Sequence, residues 1–153
     1  MKHLAILLTI VTMLYPVIVK KTEPLTTSRM AEICNMTEEE FILISSVVEA
    51  ESDRSESLVG RILIAETILN RVNSEQFPDT ITEVLCQSGQ FSTVRNGHSV
   101  TNRTDYSDQA VMLAVQEIET GEAPEVLFFN CIGFFTGREP YGNSAIDGNY
   151  FSL

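Results

Sequence analysis

Three glutamates fall within eight residues of one another in the stretch SSVVEAESDRSE, residues 45–56. Glu49 and Glu51 are two positions apart at the end of an apolar run, and Glu56 follows them. Side chains two positions apart on an α-helix point about 200° away from each other, because the helix has about 3.6 residues per turn. Glu49 and Glu51 therefore cannot both face one cleft while they are helical. We expect one of them to be solvated and the other to be a candidate for chemistry.

A carboxyl in the last turn of such a helix can project over a groove while its base is packed against Val47 and Val48. Removal from water disfavours the charged form and so raises the pKa of a carboxyl. An acid that is still protonated near neutral pH can donate its proton to a glycosidic oxygen. The alternative is an ordinary helix end with solvated carboxylates. The residue types alone leave both interpretations open.

Two helices must position these glutamates. Thr37 and Glu40 form a capping-box pattern, which predicts a helix from there to about Glu51. A second helix is predicted over residues 56–73, where apolar side chains recur at steps of three and four and form one buried stripe. The stripe consists of Leu58, Ile62, Ala65, Leu69 and Val72.

The second helix also carries two charged residues near its apolar face. Glu66 lies at the margin of the stripe, so it is either a carboxylate that reaches water, which we expect, or a buried acid with a partner. Arg71 lies at the C-terminal end of the helix, where a positive charge is favourable with the helix dipole. No further role for Arg71 is predicted.

The remaining helices are marked by caps and breakers. Asp79 is predicted to cap a short third helix that runs through Cys86. A fourth helix is predicted to begin at Ser107 and to stop at Gly121 and Pro124.

The segments around the fourth helix are not helical in pattern. Residues 87–105 are polar and contain glycine, which predicts a loop. Residues 125–135, EVLFFNCIGFF, are aromatic and β-prone, and turn residues follow them. The predicted fold class is therefore mainly α with a small C-terminal β-hairpin (α+β), after an N-terminal hydrophobic segment.

The N-terminal segment Leu4–Val19 carries no charge and is followed by Lys20-Lys21. Its 16 residues are short for a membrane span, which takes about 20, and suit the apolar region of a signal peptide. No small-x-small cleavage pattern follows, which favours an uncleaved membrane anchor through residues 4–19 over a cleaved signal peptide. We therefore divide the chain into an anchor or signal peptide over 1–21, a linker over 22–33 and one domain over 34–153.

Charge and cysteine content exclude several classes of function. All 21 acidic residues but only seven basic ones follow Lys21, a formal charge of −14 that argues against nucleic-acid binding. The two histidines are far apart and no metal-ligand spacing occurs, so we expect neither a metal nor a cofactor. An odd number of cysteines leaves at least one thiol free and allows at most one bridge among Cys34, Cys86 and Cys131.

Several short segments follow one another along the chain: Ala50-Glu51, Glu56, Leu69-Asn70-Arg71-Val72, Phe77-Pro78, the Gln-x-x-Gln-Phe-Ser run over residues 87–92, and residues 114–130. In this order and at near-family spacing, they resemble the SleB/CwlJ family of cell wall hydrolases. The likeness covers roughly residues 41–151.

The resemblance implies a lysozyme-like, lytic-transglycosylase-like fold and peptidoglycan glycan strands as the partner. It implies cleavage between N-acetylmuramic acid and N-acetylglucosamine, by hydrolysis or lytic transglycosylation, in a protein that is secreted or membrane-anchored and faces the cell wall. The family's catalytic acid falls on Glu51, a single general acid/base. The implied substrate-binding residues are Glu56, Gln90, Phe91, Asn130 and Asn149.

The chain also departs from the family pattern. The spacing from Glu51 to Asn70 is one residue longer, Arg54-Ser55 replace an expected glycine, and Asn149 stands where a histidine is usual. The alternative interpretation is therefore a non-catalytic, membrane-anchored peptidoglycan-binding or structural protein that retains the fold. A helical membrane-linked adaptor without sugar binding is a third.

Overall fold

The computed structural model describes residues 24–52, 57–95, 97–99 and 102–153. The predicted anchor over 1–21 and the predicted substrate-binding Glu56 lie outside these residues. In the described ranges, no helix has the length and apolar character needed to cross a membrane.

Five helices and five short strands make up the described chain. The helices are α1 Thr27–Ile33, α2 Glu38–Glu51, α3 Leu58–Val72, α4 Ile81–Leu85 and α5 Asp105–Thr120. The strands are β1 Val94–Arg95, β2 His98–Ser99, β3 Phe128–Asn130, β4 Pro140–Ile146 and β5 Asn149–Ser152.

Helix α1 corrects the prediction of a linker over 22–33. Thr26 caps this helix by accepting a hydrogen bond from the Arg29 backbone N–H at 3.3 Å. Ala31 is buried against the domain, and Arg103 donates to the hydroxyl of Thr27 and to the carboxylate of Asp108. The second half of the predicted linker is therefore part of the folded unit.

Helix α2 begins and ends as its sequence predicts. The Thr37 backbone N–H donates to Glu40 Oε2 at 2.9 Å and the Glu40 N–H donates to Thr37 Oγ1 at 3.2 Å, which confirms the capping box. The middle of the helix is fully buried, and Glu51 is its last residue. Its end therefore carries the two neighbouring glutamates out of the core.

Helix α3 lies at the centre of the molecule and packs most extensively against α5. Leu63, Ile64 and Ile68 are buried although they lie outside the predicted stripe. Leu58, Ile62 and Val72 are only partly buried. The prediction of a single buried stripe is therefore wrong, because α3 is covered by other elements around most of its circumference.

The caps of α4 and α5 differ from those predicted. Thr80, rather than Asp79, caps α4 by accepting from the Glu83 N–H at 3.3 Å. Thr104 caps α5, and Ser107 is its reciprocal partner within the first turn. Gly121 ends α5 in the left-handed conformation, φ 73°, as its position after the last turn predicts.

The C-terminal residues form a three-stranded antiparallel sheet in the order β3-β5-β4. The central residue Phe151 is fully buried and pairs with Phe129 on one side and Tyr141 on the other. This confirms a mainly helical domain with a small C-terminal β-structure and adds a third strand to the predicted hairpin. The predicted loop over 87–105 contains the paired two-residue strands β1 and β2.

Candidate active site

A cleft of about 770 Å³ opens between the end of α2, the segment before β1, strand β3 and the β4–β5 turn. Of the residues proposed from the sequence, all those within the described ranges lie on its walls. Its lining residues are Ala50, Glu51, Ser52, Arg71, Gly89, Gln90, Phe91, Phe129, Asn130, Cys131, Phe135, Gly148 and Asn149.

Glu51 is the partly buried carboxyl of this cleft. Burial raises the pKa of Glu51 above its ordinary value, and the hydroxyl of Thr93 opposes that shift to a smaller extent. Thr93 Oγ1 is itself buried, and no group in the described chain lies within hydrogen-bond geometry of it. Glu51 can therefore hold a proton at a higher pH than a solvated glutamate.

Glu49 points away from the cleft and is held by two other helices. Its carboxylate accepts from Nε and Nη2 of Arg61, each at 3.2 Å, and from the Thr104 hydroxyl at 2.7 Å. Burial alone raises the pKa of Glu49, but the hydrogen bonds from Arg61 and Thr104 and the charge of Arg61 lower it overall. Glu49 thus stays charged and ties the end of α2 to α3 and α5.

Arg71 forms the floor of the cleft. Its guanidinium is buried, with Nε donating to the Leu127 carbonyl at 2.8 Å and Nη1 donating to Gln90 Oε1 at 3.0 Å. The rings of Phe77, Phe91 and Phe128 lie 5.0, 5.6 and 5.7 Å from its Cζ. Burial lowers the pKa of Arg71 to about 10, so the guanidinium stays charged at neutral pH.

The β4–β5 turn closes the cleft beside Glu51. Asn149 Nδ2 donates to the Glu51 backbone carbonyl at 3.3 Å, and Asp147 Oδ2 accepts from the Gly60 N–H at 2.8 Å. The turn therefore contacts both the last residue of α2 and the first turn of α3. A Cβ on Gly60 would lie 2.6 Å from the Asp147 Cβ, so this close approach requires glycine.

The opposite wall is built from β3 and the turn after it. Asn130 Oδ1 accepts from the backbone N–H groups of Ile132 and Gly133, at 2.7 and 3.0 Å, and so fixes this turn. The rings of Phe91 and Phe129 are 6.3 Å apart, with Phe91 largely buried. Asn130 and Phe91 thus shape the wall through their own contacts within the protein.

The model of the Cell Wall Hydrolase family matches residues 55–137, more than half of the chain. The chain belongs to this family. Glu51 lies just before the matched range, whereas Arg71, Gln90 and Asn130 lie within it.

Curated relatives of this cell wall hydrolase include spore cortex-lytic enzymes. That of Bacillus cereus is 33% identical over 89 residues, which cover 58% of this chain and 33% of the relative. That of Oceanobacillus iheyensis is 34% identical over 73 residues, which cover 48% of this chain and 26% of the relative. The match therefore spans about a quarter to a third of these relatives.

Two solved structures share the fold of this cell wall hydrolase. The catalytic domain of the Bacillus cereus SleB protein superposes with a TM-score of 0.63 at 24% identity, over 76% of this chain and 91% of that chain. The catalytic domain of the germination-specific lytic transglycosylase SleB from Bacillus anthracis gives a TM-score of 0.61 at 24% identity, over 76% of this chain and 96% of that one.

Sequence reasoning missed two residues that organise the site of the hydrolase. The sequence predicts only a helix-dipole role for Arg71, although its guanidinium contacts Gln90 and the Phe128 ring of β3. Asn70 Nδ2 donates to the carbonyls of Pro124 and Val126, at 2.8 and 3.1 Å, and so holds the entry to β3. Adjacent amide and guanidinium side chains at the end of a buried helix were the available signal.

Among the described residues that line the cleft, the titratable side chains are those of Glu51, Arg71 and Cys131. All three cysteines are free, with Cys34 buried and Cys131 exposed on the cleft wall. Within the described ranges, no three His, Cys, Asp or Glu side chains lie close enough to hold a metal ion.

Proposed function

We propose that this cell wall hydrolase is a peptidoglycan-degrading glycosidase that cleaves between N-acetylmuramic acid and N-acetylglucosamine. The observation that carries the proposal is the partly buried carboxyl of Glu51, with its raised pKa, in the wall of an open cleft. Family membership supplies the substrate class. Gln90, Phe91, Asn130 and Asn149 line the same cleft and are its proposed substrate contacts.

Glu51 alone serves as general acid and then as general base in this proposal. Protonated Glu51 donates to the leaving glycosidic oxygen while an oxocarbenium-like centre develops on the muramic sugar. The resulting carboxylate then takes a proton from that sugar's own 6-hydroxyl or from water. Glu51 is the only carboxylate among the described residues that line the cleft, which fits a scheme without a second acid.

The reaction class sets where the domain must act. Peptidoglycan lies outside the cytoplasmic membrane, so we propose that the domain faces the cell wall. Residues 4–19 remain the proposed tether or export signal.

Release of soluble muropeptides tests the proposal. Purified peptidoglycan is incubated with the full chain and with its Glu51→Gln variant, and Glu75→Gln, an exposed acid outside the cleft, is the matched control. We expect release by the parent chain and by the control, and a loss of at least about a hundredfold for Glu51→Gln, the scale of general acid–base catalysis. Full activity of Glu51→Gln would refute the assigned role.

Mass spectrometry of the released fragments separates the two reactions. Muramic ends that lack one water identify transglycosylation through the 6-hydroxyl, and reducing ends identify hydrolysis. A chain that sediments with peptidoglycan but releases no fragments would instead support the non-catalytic alternative.

A further inference from the structure

The contact between Arg71 and Gln90 determines which way the Gln90 amide faces. A guanidinium has only donors, so the atom that meets Nη1 of Arg71 at 3.0 Å must be the amide oxygen of Gln90. The guanidinium is itself fixed, because it is buried and its Nε donates to the Leu127 carbonyl. Gln90 as a whole is exposed, but its amide cannot reverse without placing an NH₂ group against a cation.

The fixed orientation leaves the Gln90 NH₂ group as a donor for the cleft. Gln90 lines the cleft, and no hydrogen bond from Nε2 to another protein group occurs in the described chain. A donor held in this way selects ligands that present an acceptor at the same position, because an unmatched polar group at a binding site weakens binding.

Aromatic surface lies on the same wall as this donor. Phe91, the residue after Gln90, has its ring 6.3 Å from that of Phe129, and both line the cleft together with Phe135. A ligand group that combines a carbonyl acceptor with a methyl group matches such a wall. In glycan strands, the acetamido group has this composition.

We propose that Gln90, oriented by Arg71, is a specificity-determining residue that donates a hydrogen bond to the carbonyl of a 2-acetamido group on the bound sugar. The cleft thereby selects N-acetylated over de-N-acetylated glycan strands. This inference rests on the proposed function, since it names the substrate feature that the same cleft recognises.

Equilibrium binding tests the inference without interference from catalysis. The probes are the N-acetylated tetrasaccharide of the peptidoglycan glycan strand and the same tetrasaccharide after de-N-acetylation. Dissociation constants are measured for the full chain carrying Glu51→Gln, alone and combined with Gln90→Met or Gln90→Glu. Methionine keeps the length of the side chain, and glutamate keeps the acceptor for Arg71 but loses the donor.

We expect Gln90→Met and Gln90→Glu each to weaken binding of the acetylated probe by a few-fold to about tenfold, the value of one neutral hydrogen bond. The de-N-acetylated probe lacks the carbonyl acceptor, so Gln90→Met is expected to weaken its binding much less than that of the acetylated probe. Gln76→Met, the same change at an exposed site outside the cleft, alters neither affinity.

The outcomes separate this inference from the function on which it rests. Equal losses for the two probes in Gln90→Met overturn the inference and leave the proposed function standing. Failure of the Glu51→Gln chain to bind either probe overturns both. Thermal denaturation of each variant checks that the exposed position tolerates the change.

Discussion

Two glutamates that are almost neighbours in the chain have opposite environments. Glu49 receives three hydrogen bonds, two of them from Arg61, and its pKa is lowered. Glu51 is partly buried in the cleft wall, and this burial raises its pKa. The half-turn of rotation between them on α2 thus separates a structural anion from a group that can carry a proton.

The pH dependence of the reaction follows from Glu51. As a general acid it must be protonated, so kcat/KM falls as the pH rises through its pKa, which lies above the ordinary value. The Thr93 hydroxyl lowers that pKa, so we expect Thr93→Val to move the alkaline limb of the profile to higher pH. The measurement is kcat/KM for muropeptide release across the acidic to mildly alkaline range.

The same substitution elsewhere provides the control for Thr93→Val. Thr82 is exposed on α4 and does not line the cleft, so Thr82→Val is expected to keep the parent profile. An alkaline limb that stays in place, or moves to lower pH, in Thr93→Val would contradict the assignment of that limb to Glu51.

At the scale of elements, α3 carries an acid through the core. Glu66 is completely buried, with an exposed fraction of 0%. This corrects the prediction that its carboxylate reaches water. Neither of its carboxyl oxygens meets hydrogen-bond geometry with a partner in the described chain. Burial, followed by the nearby carboxyl of Glu117 on α5, raises the pKa of Glu66 to about 8.

Stability should therefore fall as the pH rises. Between the ordinary pKa near 4.5 and the folded-state value of about 8, the folded chain holds a proton on Glu66 that the unfolded chain releases. The free energy of unfolding is highest at the acidic end of this window and falls by up to about 1.4 kcal/mol per pH unit toward its alkaline end. Glu66→Gln keeps the shape, removes the titration and should flatten this slope.

Chemical denaturation at a series of pH values measures the effect of Glu66→Gln. Glu75→Gln, at an exposed position, should keep the slope of the parent chain. If the parent and Glu66→Gln lose stability in parallel toward pH 8, the buried carboxyl is not the group responsible.

The β4–β5 turn is a second element-scale contact with a measurable consequence. Because the new Cβ would lie 2.6 Å from the Asp147 Cβ, Gly60→Ala should displace the turn and break the Gly60–Asp147 hydrogen bond. We expect a loss of about 1–3 kcal/mol in the free energy of unfolding. Activity should fall as well, since the same turn contacts the backbone of Glu51 through Asn149.

A double-mutant cycle isolates this contact. Asp147→Gly removes the Cβ that the new methyl group would meet, so the double variant should lose less stability than the sum of the two single variants. Additive losses would show that the cost of Gly60→Ala arises elsewhere in the first turn of α3.

The sequence predicted the features that depend on neighbouring residues. The capping box at Thr37 and the glycine stop at Gly121 set helix ends within a few residues, and the structure confirms both. The environment of α3 was not predictable in this way, because apolar periodicity shows that a face is buried but not how many elements surround the helix.

The cleft depends on contacts between distant parts of the chain. Asn70 contacts Pro124 and Val126, which follow it by 54 and 56 positions. Asn149 contacts the carbonyl of Glu51, which precedes it by 98 positions. No local pattern encodes such pairs. The resemblance to a family brought Glu51, Gln90, Asn130 and Asn149 together in advance, and it gave no reason for the burial of Arg71 or Glu66.

At the scale of the whole molecule, the net formal charge of −11 acts on the encounter with the wall. Cell walls that carry anionic polymers repel such a chain at long range, and salt screens this repulsion. We expect muropeptide release from such walls to increase as ionic strength rises from about 0.01 M to about 0.15 M, over which the Debye length falls from about 30 Å to about 8 Å.

A glycan without anionic polymers distinguishes this long-range effect from an effect of salt on the cleft. Glu51 and Arg71 in the cleft are at least partly buried, and salt screens buried charges much less than exposed ones. Cleavage of the wall after its anionic polymers are removed should therefore change little over the same range of salt. An equal salt response for both substrates would place the effect at the cleft rather than at the acidic surface.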